Sequence, residues 1–506
     1  MTAKTFDSVG AELAAVLPPN DKPWYKKRNQ VYLNFCIMSL FLLSSGNGYD
    51  GSMLNGLLAL TPWQSFMKNP TGAWLGFISG AQNLGSIAFY PVVAWASNRF
   101  GRKPTIFAGY FFLCLGAGLQ TGATNVPMFV VSRLIVGIAS AFFGGCVPLL
   151  MTETAYPTHR GIITSLYMCG WYVGSFLAAW AAFGTRNYDN SWSWRIPSIL
   201  QVLLPVLALP GLVMMPESPR FFASKKRDHE TRAFLVKYHA EGDESSPLAA
   251  FELAEITRSI QMESDYQKQT SYRDMVATPA NRKRTFITVF LGIFVQWAGQ
   301  NVAGYYLPPV LATIGITTST QQTLVNGFLQ IWNLVCALVG AFNVDRFGRR
   351  LLFLAATGGM LFSYILITAL SATFANEGSA AVGTAVVPFL FLMYGSYPVE
   401  IWQYSLRSRG LSVMWISTAT AVFFNIFINP IALEAIEWRY YLLYVFILAG
   451  GGVVIYYTFP ETRGHTLEEI ARVFDGENVD VAKEDKHEED TKTTETTHHV
   501  DHIDKV

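Results

Sequence analysis

Apolar stretches of the length of a membrane span recur along almost the whole chain. About twelve blocks of roughly 18–25 residues are each long enough, as a helix, to cross a hydrocarbon core about 30 Å thick. Backbone polar groups find no water inside a bilayer, so each segment must satisfy them within its own helix. We therefore predict an all-α integral membrane protein with twelve transmembrane helices. The blocks cover residues 31–60, 73–97, 105–124, 127–151, 161–184, 194–215, 286–314, 322–344, 351–373, 383–404, 411–433 and 440–459.

The composition agrees with this fold class and excludes others. Only 14% of the 506 residues are charged, whereas soluble domains carry about 25%. The formal net charge of +1 provides no overall basic field for nucleic acid. The five cysteines all lie inside apolar blocks, which predicts neither a disulfide framework nor a metal site. The sequence shows no nucleotide-binding loop, metal motif or nucleophile set, so we expect no enzyme activity and no cofactor.

Basic residues are concentrated in alternate loops. They precede the first block in "KPWYKKRNQ" and recur in "NRFGRK", "THRG", "DRFGRR" and "SLRSRG", which follow even-numbered blocks. Because cytoplasmic loops are enriched in Lys and Arg, both termini should lie in the cytoplasm. The first block lacks a short apolar core with a small-residue cleavage site, so we interpret it as a retained helix.

Two polar regions interrupt or end the apolar pattern. Stretches such as "HETRAFLVKYHA" and "LAAFELAEITRSIQMES" have helical spacing and predict short helices on the cytoplasmic surface. The tail from about residue 475 is acidic and rich in Thr and His, with too few apolar residues to order it. Its histidines leave metal binding open as an alternative. The predicted organisation is an N-terminal cytoplasmic segment, a first half, a loop, a second half and a tail, at residues 1–30, 31–215, 216–284, 285–460 and 461–506.

The chain contains an internal repeat. "NRFGRK" at Asn98 and "DRFGRR" at Asp345 lie 247 positions apart, and Glu153 and Glu400 have the same offset. Each of these glutamates is followed seven residues later by an arginine. Parallel repeats with a substrate site between them near the membrane midplane are typical of one large class of secondary transporter. We therefore predict two homologous six-helix halves.

Several motifs resemble those of sugar porters of the major facilitator superfamily. They include "GYDG", "NRFGRK", "PLLMTETAYPTHRG", "PESPR", "GQNVAGYYLP", "DRFGRR", "YPVEIWQYSLRSRG" and "FPETRG", and extend from about residue 30 to 475. "FFNIFINPIALEAIEWRYYLLYVFIL" and "FPETRGHTLEEIARVFDG" resemble the fungal lactose-permease-like and hexose transporter branch. The resemblance implies a monomeric carrier in the plasma membrane that moves a sugar across the lipid bilayer by alternating access.

The resemblance also implies charged clusters at the cytoplasmic helix ends. Bidentate pairs of Arg with a carboxylate are strong and oriented, and we interpret these clusters as a latch that closes the cytoplasmic side. The alternative is that the positive charges only hold the loops in the cytoplasm; both interpretations can hold together. Asn98 replaces the Asp that is usual in the family, so the first cluster has one charge fewer. The members are Arg99, Arg102, Glu153, Arg160 and Glu217 in the first half and Asp345, Arg346, Arg349, Glu400, Arg407 and Glu461 in the second.

Block 7 contains the side chains that a sugar site needs. Sugar hydroxyls both donate and accept hydrogen bonds, as Asn and Gln do, and aromatic rings suit the C–H faces of a sugar. The segment "FVQWAGQNVAGYYLPP" places Gln296, Gln300 and Asn301 near Tyr305 and Tyr306. Its glycines and prolines predict a helix that bends or breaks, as membrane helices do where they line a cavity. By resemblance, Gln296 and Asn301 are sugar contacts.

Amides recur in blocks 8 and 11. Asn326, Gln330 and Asn333 are spaced four and then three residues apart, so they share one helix face. By resemblance, Asn333 and Asn425 are further sugar contacts. The alternative for any single amide is that it joins helices through interhelical hydrogen bonds. The set as a whole favours a sugar site.

Asp50 is the only carboxylate that we place well within a span, and Arg133 is the only basic residue so placed. Ionisable residues in spans are functional by default. In proton-coupled sugar porters an Asp in this "GYD" context pairs with an Arg in this fourth-helix context, so the resemblance implies that Asp50 carries the proton. The alternative is a structural pair that does not titrate. Gly46, Gly48 and Gly51 would let other helices, water or substrate approach the acid.

The sequence therefore predicts a proton-coupled symporter for a mono- or disaccharide, with the proton as its coupling ion. A passive sugar facilitator, a sugar sensor and an exporter of another small metabolite remain open on the same fold. Val295 and Met168 occupy positions at which sugar porters often have amides. Because each missing amide removes a possible hydrogen bond, the resemblance does not determine which sugar is bound.

Overall fold

A computed structural model describes residues 16–17, 23–269, 276–347, 349–397 and 408–459. This part of the chain is helical and contains no strand. Glu400, Arg407 and Glu461 of the predicted latch lie outside the described residues, as does the acidic tail.

The first half contains six spanning units joined by short connections. Its first helix runs without interruption through the polar "SSGNGYDGS" segment. A seven-residue helix connects the first two spans, and the sixth span is divided into two helices. The helices are α1 (Arg28–Leu57), α2 (Thr61–Met67), α3 (Gly72–Phe100), α4 (Arg102–Thr121), α5 (Val126–Thr154), α6 (Arg160–Thr185), α7 (Trp192–Leu200) and α8 (Leu203–Met214).

The loop between the halves folds into three helices. The two stretches of helical spacing recognised in the sequence form α10 and α11. Phe234, Leu235 and Tyr238 on one face of α10 are buried in the same apolar cluster as the first-half helices. The loop therefore packs on the first half rather than standing apart from it. The helices are α9 (Pro219–Ser224), α10 (Asp228–Tyr238) and α11 (Pro247–Gln269).

The second half repeats the pattern of long helices. Its first span is divided between two helices, and its fourth contains two shorter helices that precede residues 398–407, which are not described. The helices are α12 (Pro279–Trp297), α13 (Gln300–Ala312), α14 (Ser319–Phe347), α15 (Arg349–Glu377), α16 (Ala380–Thr384), α17 (Val387–Ser396), α18 (Ser408–Ile436) and α19 (Tyr440–Thr458).

Helix length and hydropathy support the membrane assignment. Within the described ranges, eight helical stretches are long and apolar enough to cross a membrane, and one of them, 416–458, runs through both α18 and α19. The 29-residue α3, the 20-residue α4 and the apolar stretch Ala380–Ser396 provide the remaining units. The predicted all-α fold with twelve spanning units is confirmed.

The two halves are in close contact at one end of the bundle, which we call the far end; it contains the α1–α2 connection. The opposite, near end contains the α3–α4 junction at Gly101. At the far end Arg186 Nε donates to Thr320 Oγ1 across 3.3 Å. The rings of Trp180 and Phe328 also meet there edge to face, with centroids 6.0 Å apart. These contacts join α6 to α14 and close the far end.

Glycines bring α1 and α6 into direct backbone contact. A Cβ at Gly48 would lie 2.0 Å from the Trp171 carbonyl oxygen, and one at Gly174 would lie 1.7 Å from the Ser45 carbonyl oxygen. Gly51 lies against the Trp171 ring. Small residues let membrane helices approach this closely. The glycines of the "GNGYDG" segment therefore allow a neighbouring helix to pack closely. Close packing of a helix is one of the three possibilities predicted from the sequence, beside the approach of water or of substrate.

Candidate functional site

The predicted break in block 7 is confirmed, and it falls at Gly299, between α12 and α13. Gly299 has φ +98°, a left-handed conformation that strains residues with a side chain. A Cβ at this position would lie 2.4 Å from the Tyr364 hydroxyl oxygen. The same hydroxyl donates to the Gly299 carbonyl across 2.8 Å. Both the turn and the packing of Tyr364 therefore require glycine.

The predicted amides lie on either side of this break. Asn301 Nδ2 donates across 3.1 Å both to the Gln296 carbonyl and to the Gln296 side-chain oxygen. Asn301 is buried, whereas Gln296 and Gln300 are half-buried. The break thus lets Asn301 bond Gln296, five positions earlier, whereas these two side chains would lie on different faces of an unbroken helix.

A tyrosine of the second half lies beside these amides. The Tyr394 hydroxyl on α17 donates to the Gln300 carbonyl across 3.4 Å. It also lies within electrostatic range of Tyr305 in its own half and of Tyr172 in the other half. Tyr172 had no distinguishing signal in the sequence, because many aromatic residues occur in apolar helices. Tyr306 is fully buried and donates to the Ile426 carbonyl across 2.7 Å, so in this conformation it packs α13 against α18.

The amide face of α14 is buried as a set. Gln330 Nε2 donates to Asn326 Oδ1 across 3.4 Å. Asn333 is only 2% exposed, and its Oδ1 has no hydrogen-bond partner among the described residues. An unpaired buried acceptor is costly, and a ligand hydroxyl would satisfy it. Asn333 is therefore better placed for a ligand than for joining helices.

Asn425 lies in a network within the second half. It accepts a hydrogen bond from Asn429 Nδ2 across 3.0 Å. Asn429 Oδ1 in turn accepts from the hydroxyls of Tyr440 and Tyr444, at 2.8 and 2.9 Å. For Asn429 the helix-joining alternative holds, because these bonds tie α18 to α19. Asn425 lies at the edge of the network and stays a predicted sugar contact.

Asp50 and Arg133 are brought together in the first half, but not as a carboxylate–guanidinium pair. The two residues are 2% and 0% exposed. Arg133 Nη1 donates to the backbone carbonyl of Asp50 across 3.3 Å. Asp50 Oδ1 and Arg133 Nε and Nη2 have no hydrogen-bond partner within the described part of the chain. Arg133 also lies within electrostatic range of Tyr305 in the other half.

The first-half charge cluster at the near end is built around the α3–α4 junction. Arg102 binds Glu153 in bidentate fashion, with Nε–Oε2 and Nη2–Oε1 distances of 3.0 and 3.1 Å. The Glu217 carboxylate accepts from the backbone N–H groups of Arg102 and Lys103 at 3.1 and 3.0 Å, and so caps the start of α4. The Ser218 hydroxyl donates to Glu153. The "PESPR" motif thereby connects the loop to the "GRK" turn.

Arg160 forms a separate cluster that the sequence did not predict. Its Nη2 lies 3.1 Å from Glu252 Oε1 on α11, rather than on Glu153. The other oxygen of Glu252 lies 2.6 Å from His239 Nδ1, and His239 Nε2 lies 3.2 Å from the Thr154 carbonyl. Both ring nitrogens of His239 therefore face acceptor oxygens, one of a carboxylate and one of a carbonyl. The cluster fastens α10 and α11 to the ends of α5 and α6.

Four further members of the predicted latch form no described bond to an acidic partner. Arg99 is exposed. Asp345, Arg346 and Arg349 lie at the ends of α14 and α15, where the structure does not describe the side chains. A latch between the halves therefore stays a prediction, whereas the contacts of Arg102, Glu153 and Glu217 lie within the first half and its loop.

Comparison with known proteins assigns the family. The family described as "Sugar (and other) transporter" matches residues 35–474. The chain belongs to this family. It is a sugar porter of the major facilitator superfamily, a membrane transporter and not an enzyme.

The sugar porter resembles several curated transporters over most of their length. It is 26% identical over 490 residues to the high-affinity glucose transporter of Kluyveromyces lactis, covering 89% of this chain and 87% of the relative. It is 25% identical over 453 residues to the MFS-type transporter oryC of Aspergillus oryzae, covering 86% and 82%. It is 26% identical over 483 residues to the sugar transport protein MST7 of Oryza sativa, covering 87% and 91%.

Solved structures share the fold of this sugar porter. The inward open conformation of the xylose transporter XylE from E. coli matches with a TM-score of 0.69 and 21% identity, covering 87% of this chain and 99% of that one. The proton:xylose symporter XylE bound to 6-bromo-6-deoxy-D-glucose matches with a TM-score of 0.69 and 22% identity, covering 88% and 100%. The likeness extends over both halves, which supports the predicted two-half fold.

Proposed function

We propose that this sugar porter is a proton-coupled symporter that imports a mono- or disaccharide by alternating access. The observation that carries the proposal is the pair of ionisable side chains buried inside the first half, Asp50 and Arg133. Charged groups are expensive within a membrane and are retained there for ion or proton pathways. The proton is the coupling ion, and no other cofactor is needed.

In the proposed cycle Asp50 accepts a proton from the outside, and the halves then close over proton and sugar together. When the proton leaves to the cytoplasm, the carboxylate pairs with the Arg133 guanidinium until the next proton arrives. In the described arrangement Arg133 bonds the Asp50 carbonyl instead of its carboxylate. That arrangement fits the step at which Asp50 is protonated and Arg133 is released from it.

The proposed sugar site lies at the α12–α13 break, between the halves. Half-buried Gln296 and Gln300, buried Asn301 and Tyr305 contribute from α12 and α13. Asn333 adds an acceptor that has no hydrogen-bond partner within the described ranges. Amides suit hydroxyls that donate and accept. Asn425 and Tyr306 complete the proposed set of contacts, with Tyr306 acting only if α13 moves away from α18.

Tyr305 provides the proposed connection between proton and sugar. It lies on α13, four residues after Asn301, and within electrostatic range of Arg133 in the other half. A change in the partner of Arg133 therefore alters the electrostatic environment of a residue that lines the sugar site. Coupling requires that two sites favour the same conformational state, and the electrostatic interaction of Arg133 with Tyr305 is our proposed link between them.

The names of relatives support a small sugar as the substrate. The Kluyveromyces lactis relative is named as a glucose transporter, and the structural neighbour is described as a proton:xylose symporter. We further propose that the protein is a monomer in the plasma membrane, with the near end and both termini in the cytoplasm. The lipid bilayer is then its other partner, and no nucleic acid is bound.

Uptake of radiolabelled sugars in a transporter-deficient host tests the function. The assay compares two external pH values, with and without a protonophore. Asp50→Asn should abolish accumulation against a gradient while preserving sugar exchange, because the neutral amide resembles the protonated acid in shape. Asp189→Asn, at an exposed carboxylate between α6 and α7, is the matched control and should accumulate normally.

The outcomes separate the alternatives. If Asp50→Asn still accumulates sugar uphill, the proposed proton carrier is wrong. If uptake by the native protein depends neither on external pH nor on the protonophore, the protein is a passive facilitator. Absence of uptake for every sugar, with the protein present at the cell surface, favours a sensor or an exporter.

A further inference from the structure

Asn55 of α1 places its side-chain amide against α13 of the other half. The Leu307 N–H donates to Asn55 Oδ1 across 3.0 Å, and Asn55 Nδ2 donates to the Ala303 carbonyl across 3.4 Å. The same nitrogen lies 3.4 Å from Asn326 Oδ1 on α14. Asn55 is 1% exposed, so these three bonds form in the absence of competing bulk water.

The two backbone groups that Asn55 binds belong to one rung of the helix. In a regular α-helix the N–H of residue 307 bonds to the carbonyl of residue 303. Between them, Tyr306 has φ −132° and ψ 32°, far from helical values, and α13 is kinked there. Pro308 and Pro309 follow and have no N–H to continue the ladder. Insertion of a side chain into the ladder is a recognised cause of helix kinks.

We propose that Asn55 is a positioning residue that stabilises the bent form of α13 only while the far end is closed. Its three bonds cross from the first half to the second, so they exist only when the halves meet at the far end. Once α1 moves away, the Leu307 N–H and the Ala303 carbonyl must bond each other or water, and the bend loses its stabilisation. This inference rests on the proposed alternating access.

The consequence reaches the proposed sugar site. Asn301 and Tyr305 lie on the same helix, just before the Tyr306 kink. Straightening α13 at the kink changes their position relative to Gln296 on α12. Closure of the far end and the geometry of the sugar contacts are therefore coupled through one side chain that touches neither sugar nor proton.

Distance measurement between spin labels on the two halves tests this directly. Labels at Ser65→Cys and Glu377→Cys, both exposed at the far end, report its opening in protein whose five native cysteines have been replaced. Asn55→Leu keeps a similar shape and removes all three bonds. It should shift the equilibrium toward the longer, open distance by about tenfold, the factor for one to two net hydrogen bonds. Asn55→Asp keeps only the acceptor and should give an intermediate shift.

Gln120→Leu is the matched control, because Gln120 is a fully buried amide that bonds Ser198 within the first half. It should leave the distance distribution unchanged. Kinetics give a second readout: an open far end raises the fraction competent to bind external sugar, so Asn55→Leu should lower both KM and maximal uptake. If Asn55 were needed only for folding, Asn55→Leu would lower the amount of folded protein and the maximal uptake but would leave KM unchanged.

The inference is overturned if Asn55→Leu and Asn55→Asp give the same distance distribution as Gln120→Leu. It is also overturned if both Asn55 variants fail to fold while Gln120→Leu folds, since Asn55 would then be needed in every state. The distance measurement requires neither a coupling proton nor transport. Its failure is therefore distinguishable from failure of the proposed symport, which would appear as proton-independent uptake.

Discussion

Adding a single methyl group at Gly299 should disturb the proposed sugar site. Gly299→Ala forces a side chain into a left-handed backbone conformation, which costs about 1–2 kcal/mol. The new Cβ would lie 2.4 Å from the Tyr364 hydroxyl oxygen, so the tyrosine must move. Movement breaks the 2.8 Å bond from that hydroxyl to the Gly299 carbonyl, at a net loss of about 0.5–1.5 kcal/mol.

Together these effects predict a loss of about 1.5–3.5 kcal/mol in unfolding free energy. They also predict weaker sugar binding, because Gln296 and Asn301 are held on opposite sides of Gly299. The measurements are thermal unfolding of the purified protein and sugar binding followed by intrinsic tryptophan fluorescence, to which the neighbouring Trp297 contributes.

Gly358→Ala is the control for the added methyl group. Gly358 lies in α15, and a Cβ there would meet no heavy atom within 4 Å. Since Ala is favoured over Gly in a helix by about 1 kcal/mol, this variant should be as stable as the native protein or more so. The reasoning about the break is refuted if Gly299→Ala unfolds and binds sugar just as Gly358→Ala does.

Two further pairs of substitutions distinguish polar groups that stabilise the fold from polar groups that bind the ligand. Glu252→Gln should lower the unfolding free energy by about 3 kcal/mol, because it leaves Arg160 and His239 without their shared carboxylate. Glu255→Gln, at an exposed position on the same helix, is the control and should not change stability in the same thermal assay. Equal stability of the two variants would contradict a stabilising role for the buried cluster. Asn333→Leu should weaken sugar binding about tenfold without lowering stability, because Asn333 Oδ1 has no partner to lose among the described residues. Asn429→Leu should instead lower stability, since its oxygen accepts from two tyrosines; the opposite ranking of these two variants would show that the roles are reversed.

The helices and the broken span were predictable because each is a local property of the sequence. Apolar length defines a span, and Gly299 followed by Pro308 and Pro309 defines a helix that cannot stay regular. The shared face of Asn326, Gln330 and Asn333 also follows from spacing alone. The spans, the break and the shared face each depend only on residues within a few helical turns of one another.

Partners of polar groups were less predictable, because they depend on packing between distant segments. Arg160 was predicted to belong to the same charged cluster as Glu153, yet its carboxylate partner is Glu252, 92 positions away on a loop helix. Asp50 and Arg133 were expected to pair through their charged groups, but the bond runs to the backbone of Asp50. Composition and periodicity identify such residues; they do not determine which atoms meet.

The loop between the halves is bonded to the first half, so the first half includes more of the chain than the sequence repeat indicates. Glu217 caps α4, and His239 and Glu252 satisfy the Thr154 carbonyl and Arg160 at the ends of α5 and α6. Cutting the chain at Pro216 would therefore expose buried polar groups on both fragments, whereas cutting after α11 would leave these bonds intact. For co-expression of the halves as separate polypeptides, the natural boundary lies beyond Gln269, although the sequence repeat would place it some fifty residues earlier, near Pro216.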